Sequence, residues 1–193
     1  MLKDWSNVII PEEEEINERL EKARNKLVQQ QILIMQKKLP VLVSFDGWGA
    51  AGKGSILGKI IKNIDPRFFK VAVMDKPTED EKRRPFLYRY VINIPEAGKF
   101  TFMDGGCLDE VTKQKLSGKI TDEEYKRKIE SVKRFERQLS DNGYLVIKFF
   151  FHIGEQEQRK RLTRLLDDKN TRWRVSEYDW WQNQHYKKSL IRR

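Results

Sequence analysis

The nine residues Gly47-Trp48-Gly49-Ala50-Ala51-Gly52-Lys53-Gly54-Ser55 constrain this chain more than any other stretch. They follow a short apolar run, Val41-Leu42-Val43-Ser44-Phe45, which reads as a buried strand. They lead into Ser55 to Asn63, which reads as a helix. Small residues at a strand-to-helix turn let the backbone curl around an anion, with N–H groups and the helix N-terminus aimed at it. Lys53 adds a mobile positive charge suited to terminal phosphates. Strand, loop and helix together predict a phosphate cradle lined by Gly47, Gly49, Ala50, Ala51, Gly52, Lys53, Gly54 and Ser55. The common form of this motif places Ser or Thr directly after the lysine, to hold Mg²⁺. Here Gly54 stands there and Ser55 follows.

The second chemical signal is Phe100-Thr101-Phe102-Met103-Asp104. An aspartate that ends an apolar strand downstream of a phosphate loop is placed to hold Mg²⁺ directly or through water, which makes Asp104 the predicted metal residue.

The remaining pattern alternates strands with helices. Residues 11–39 read as a helix that opens at Pro11 and Glu12 to Glu15, carries Ile16, Leu20, Ala23, Leu27 and Ile34 near one face, and stops at Pro40. Further strands are predicted at 69–74, 100–103 and 144–153, the last the most apolar. Helices are predicted at 79–90 (broken near Pro85), 121–140 with a capping signature, 155–166 and 178–187, and 167–175 reads as a polar loop. Such alternation predicts an α/β fold, a mostly parallel sheet covered on both faces. We expect a P-loop kinase-like three-layer sandwich with a helical lid, built as an N-terminal helical segment, 1–40, packed on a single domain, 41–193.

Composition narrows the partners. Lys and Arg number 39 against 29 Asp and Glu, a net charge of +10, so the field draws polyanions: polyphosphate, nucleotides, nucleic acid or anionic lipid. No DNA- or RNA-binding motif accompanies the charge, so no specific nucleic acid is expected. One cysteine, Cys107, excludes an internal disulfide and fits a reducing compartment. Met1-Leu2-Lys3-Asp4-Trp5 lacks the apolar core of a signal peptide, and no apolar run is bilayer-sized. The expectation is a cytoplasmic protein with no membrane partner.

Several motifs in order resemble the polyphosphate kinase 2 family: the loop ending Gly52-Lys53-Gly54, then Lys76-Pro77-Thr78 with Glu81, Arg84-Pro85-Phe86-Leu87-Tyr88-Arg89-Tyr90, and Ile94-Pro95-Glu96-Ala97-Gly98. The resemblance continues through Phe135-Glu136-Arg137-Gln138-Leu139, Gly143 to Ile153, Glu157 to Leu162, and Trp173 to Asp179. It implies Mg²⁺-dependent phosphoryl transfer between inorganic polyphosphate and AMP or ADP, with ATP on the product or donor side. The nearest flavour resembles polyphosphate:AMP phosphotransferase, whose chains can carry two such domains fused, and this sequence resembles the amino-terminal half. The resemblance implies roles as well. Lys53, Asp104 and Arg89 form the catalytic set. Lys76 and Arg84 line the phosphate channel, and Arg159, Arg161 and Arg164, with Lys160, form a cationic lid.

Two departures stand out. The family pattern carries an aspartate where this chain has Gly49, and an Arg-Ser-Trp-Tyr-like run where it has Gly105-Gly106-Cys107-Leu108. They imply an impaired catalyst. The stop at Arg193 implies a chain truncated at its C-terminus or paired with a second domain, and homo-oligomer formation is the other expected assembly. Two alternatives stay open: a non-catalytic phosphate-binding half of a two-domain enzyme, and an ATP-dependent nucleoside monophosphate kinase.

Overall fold

The computed structural model describes residues 11–74 and 76–191. The first ten residues of the predicted N-terminal segment and the last two of the chain lie outside the described residues. Four parallel strands form one sheet in the order β2-β3-β1-β4, with β1 at Val41–Gly47, β2 at Phe69–Val73, β3 at Phe100–Asp104 and β4 at Leu145–Phe151. Val41 pairs with Phe100 on one side and Leu145 on the other, so the strands start level, while β1 and β4 run two residues beyond β3, which ends at Asp104 opposite Phe45.

The period-two alternation of β1 divides the core in two. Val41, Val43 and Phe45 pack with Leu57 of α2 (Lys53–Ile61) and with Leu27 and Ile34 of α1 (Glu13–Gln36). Leu42 faces the other way, into a cluster with Tyr90, Met103, Val111, Val132 and Leu139. Met103 belongs to β3, and the others come from α4 (Tyr88–Val91), α5 (Cys107–Leu116) and α6 (Asp122–Asp141); α3 (Glu79–Lys82) precedes them. The sheet is therefore the middle of three layers, as the alternation predicts.

Helix ends follow local chemistry. Thr78 and Thr121 each close a capping box with a glutamate three residues on, and Ser176 closes one with Asp179. The predicted helix at 79–90 is split by Pro85 into α3 and α4. The helix predicted at 178–187 is two pieces, α8 (Glu177–Gln184) and α9 (Tyr186–Ile191), which follow the basic helix α7 (Glu155–Asp167).

Two features differ from expectation. Helix α5 has no counterpart in the sequence reading, because it starts after Gly106 with no side-chain cap to announce it. Strand β4, read as the most apolar, has Leu145, Phe149 and Phe150 exposed and lies at the sheet edge, a position the sequence reading left open. No helix among the described residues is long and apolar enough to cross a membrane.

Candidate active site

All four strands are parallel, so β1 and β3 end on the same edge of the sheet, where α/β proteins place their ligands. Phe45 is the partner of Asp104, which sets Asp46, the loop 47–52 and Asp104 side by side. Gly52 precedes α2 with φ +94°, and Lys53 is the first helical residue. Its Nζ turns back to donate to the Trp48 carbonyl at 2.9 Å. Burial pulls the Lys53 pKa down; Asp109, Asp104 and Asp179 act in the opposite direction, and Lys113 adds to the lowering.

The carboxylates around this lysine are crowded. Asp46 is buried, and its Oδ1 accepts from the Gly106 N–H at 2.5 Å. Burial first, and then Asp109, push its pKa up to about 6, against the pull of the Gly106 N–H, Lys113 and Lys53. Asp109 is buried too, and pairs with Lys113 Nζ at 2.7 Å. Four carboxylates (Asp46, Asp104, Asp109, Asp179) thus share one region with two ammonium groups. That excess of negative charge, hard oxygen donors at the mouth of a phosphate loop, suits a divalent cation shared with phosphate oxygens, since among the described residues no three Asp, Glu, His or Cys side chains are grouped to hold one alone. Asp104, whose charge acts on Lys53, would hold the ion, which when bound would neutralise phosphate charge.

The loop is held from behind by the C-terminal helices. Trp48 is fully buried, stacked on Tyr186 at 4.2 Å and edge-on to His152 at 5.8 Å. The Gly49 N–H donates to Gln182 Oε1 at 2.9 Å, and the Gly49 carbonyl accepts from Gln158 Nε2 at 3.3 Å. Gln158 also donates to Gln182 at 2.9 Å, and Asn183 donates to Gln158 at 3.1 Å. This buried amide cluster ties α7 and α8 to the loop. It engages one of the N–H groups that the sequence reading assigns to phosphate. The sequence reading missed Gln158, Asn183, Gln182 and Asp179. The one local sign was the Ser176-to-Asp179 capping signature, which fixes the start of α8.

The other predicted residues fall into three groups. Arg161 reaches the loop, its Nη1 at 3.4 Å from the Ala50 carbonyl while its Nε donates to Glu157 at 2.6 Å. Arg89 is buried on α4, 3.9 Å from both Glu81 and Glu110, and its Nε and Nη1 make no hydrogen bond. Lys76, Arg84, Arg159 and Arg164 are exposed, and Arg84 pairs with Asp80 at 3.1 Å and lies over the Tyr88 ring. Gly54 and Ser55 are exposed on the first turn of α2.

Comparison with known proteins identifies the family and the fold. The family described as Polyphosphate kinase 2 matches residues 11–189. A polyphosphate:AMP phosphotransferase of Pseudomonas syringae pv. tomato is 31% identical over 166 residues, 86% of this chain and 33% of that protein. ADP-polyphosphate phosphotransferase 3 of Rhizobium meliloti is 28% identical over 158 residues, 79% of this chain and 56% of that protein. The chain thus spans between a third and a little over half of the length of these curated relatives. Among solved structures, polyphosphate kinase 2 from Arthrobacter aurescens TC1 superposes with a TM-score of 0.83 at 24% identity, over 90% of this chain and 63% of that one. A polyphosphate kinase 2 structure from Pseudomonas aeruginosa PA01 gives 0.91 at 24% identity, over 99% and 41%. At that identity the likeness is one of fold.

Proposed function

Since this chain belongs to the polyphosphate kinase 2 family, we propose that it is a polyphosphate-dependent nucleotide phosphotransferase acting on AMP or ADP. The observation that carries the reading is the half-buried Lys53 at the head of α2, within the field of Asp104 on the C-terminal edge of a parallel sheet. In the reaction, a phosphate oxygen of the nucleotide attacks the terminal phosphorus of polyphosphate. A new P–O bond forms, the bridging P–O bond breaks, and the shortened polyphosphate leaves with the electron pair. Such transfer needs positioning and charge neutralisation more than covalent help from the protein.

The roles assigned are these. Lys53 and the loop amides other than Gly49 hold the phosphates. Arg161, already at the loop, neutralises charge on the transferred group, and Arg89 supports it from α4. Asp104 holds the divalent metal, for which Mg²⁺ is the first candidate. Lys76, Arg84, Arg159 and Arg164 stand in solvent, where they gather the polyanion. The family's reaction and the names of the relatives support this reading.

A second reading, a phosphate-binding half without turnover, is favoured by one observation: the Gly49 N–H and the Lys53 ammonium are both engaged within the protein. The test that separates the readings uses purified protein, Mg²⁺ and AMP or ADP, with polyphosphate and then ATP as donor. Turnover with polyphosphate supports the proposal. Turnover with ATP alone assigns a nucleoside monophosphate kinase, and tight binding of polyphosphate without turnover assigns the binding half.

A further inference from the structure

Helix α8 meets the phosphate loop at one residue, Gly49, with two side chains. Asp179 and Gln182 lie three positions apart and so share a face of the helix. Gln182, which is buried, accepts the Gly49 N–H at 2.9 Å and fixes the helix to the loop. Asp179 stands in the space that a side chain at 49 would fill, with its Oδ1 foremost. A glycine at 49 is what lets a carboxylate come so close to the loop backbone.

The two oxygens of Asp179 do different things. Oδ2 accepts from Ser176, and that pair of bonds caps α8 and fixes the carboxylate. Oδ1 makes no hydrogen bond or ion pair among the described residues and faces the loop. The charge of Asp179 also reaches Lys53, whose ammonium is turned onto the Trp48 carbonyl. A fixed carboxylate at a phosphate cradle repels bare phosphate, and at a half-buried position salt screens that repulsion little. Asp46, Asp104 and Asp109 add to the negative field that Lys53 and Lys113 oppose. A phosphate chain that arrives with a divalent cation brings the counter-charge with it, and an unengaged carboxylate oxygen is the kind of group such a cation takes.

We infer that Asp179 determines specificity at this site: its unengaged oxygen, held against Gly49, makes the loop select phosphate chains complexed to a divalent cation over bare ones. This rests on the phosphotransferase reading given above and deepens it, since it names the form of substrate that the loop takes. It also assigns to α8 a carboxylate that the loop's own sequence lacks. Gln182 and Ser176 are the positioning residues, one seating α8 on the loop and the other holding the carboxylate still.

Calorimetry with the 193-residue chain tests it, with inorganic tripolyphosphate as the probe, titrated in metal-free buffer and again with Mg²⁺. The quantity read is the ratio of the two affinities within one protein, from which any loss of folded fraction cancels. The wild type is expected to prefer the Mg²⁺ form by about 10-fold or more. Asp179→Asn keeps an oxygen for the Ser176 cap and should cut that preference about 10-fold, mainly by tightening the bare form. Glu177→Gln removes an exposed charge from the same turn of α8 and should leave the ratio within about twofold. A ratio unchanged in Asp179→Asn overturns the inference. So does an equal fall in Glu177→Gln, which would reduce the effect to net charge, and so does a wild type with no preference for the Mg²⁺ form. The phosphotransferase reading fails by a different result, tripolyphosphate affinity that is indifferent to Lys53, and the inference falls with it.

Discussion

The carboxylate of Asp179 occupies the space in which a side chain at position 49 would have to stand. A Cβ built on Gly49 collides with Asp179 Oδ1 and lies 2.8 Å from its Cγ. The other oxygen of Asp179 is bound by Ser176, from its N–H at 2.8 Å and its hydroxyl at 2.7 Å, so the carboxylate cannot swing away without uncapping α8. Gly49 thus looks like a lost carboxylate in sequence. In space a carboxylate is present, delivered from a residue 130 positions later.

Gly49→Asp alone is therefore expected to lower stability by about 1–3 kcal/mol, as overpacking and like charge combine. It should not raise activity. Gly49→Asp with Asp179→Ala relieves the clash but gives up the Ser176–Asp179 cap of α8, so it should recover only part of the melting temperature. Thermal melts of the three variants check this; a stable single variant with higher turnover would show that Asp179 moves freely. Gly105→Arg carries a separate penalty, because Gly105 has φ +98°, a conformation that side chains rarely adopt.

Asp46 offers a test of the crowded carboxylates. Its pKa is raised to about 6 from an ordinary value of 3.8, so the unfolded chain gives up this proton first. Stability then falls as pH rises from about 4 to about 6, and above that the charged carboxylate is a standing cost. Asp46→Asn is expected to raise the melting temperature at pH 8. Mg²⁺ should stabilise the wild type more than this variant. A lower melting temperature for Asp46→Asn at pH 8, with no difference in the Mg²⁺ effect, would contradict the picture of an offset waiting for a cation.

His152 has its pKa pushed down by burial against the loop. Between its lowered folded value and about 6.5 the unfolded chain holds the extra proton, so this residue contributes stability above about 6.5 that is lost as pH falls through that window. His152→Phe keeps the contact with Trp48 and removes the titration. Melting temperature against pH should lose part of its acid-side slope in this variant, and an unchanged slope would remove His152 from the account.

How much of this was legible in the sequence depended on distance along the chain. The loop 47–55 could be read because its strand, glycines, lysine and helix are contiguous. Asp104 could be read because it ends a five-residue apolar strand. The alternation of strands with helices also predicted a sheet covered on both faces, and the split of Val41, Val43 and Phe45 from Leu42 between two clusters agrees with it. What stayed hidden depends on pairing across space. Gln182 and Gln158 meet Gly49 across 133 and 109 residues, and a buried glutamine looks in sequence like any polar helix residue. The edge position of β4 is a fact of strand order, which apolar content does not reveal, and α5 lacks the capping residue that announced α6.

The account stands most directly on Lys53. Lys53→Met keeps the buried stem and removes the ammonium, and calorimetric titration with tripolyphosphate reads the result. Affinity should fall about 10- to 100-fold, the scale of a charged hydrogen bond, while the melting temperature stays close to that of the wild type. Tripolyphosphate binding at wild-type strength in a folded Lys53→Met protein would contradict the claim that the loop 47–55 is where this chain holds phosphate.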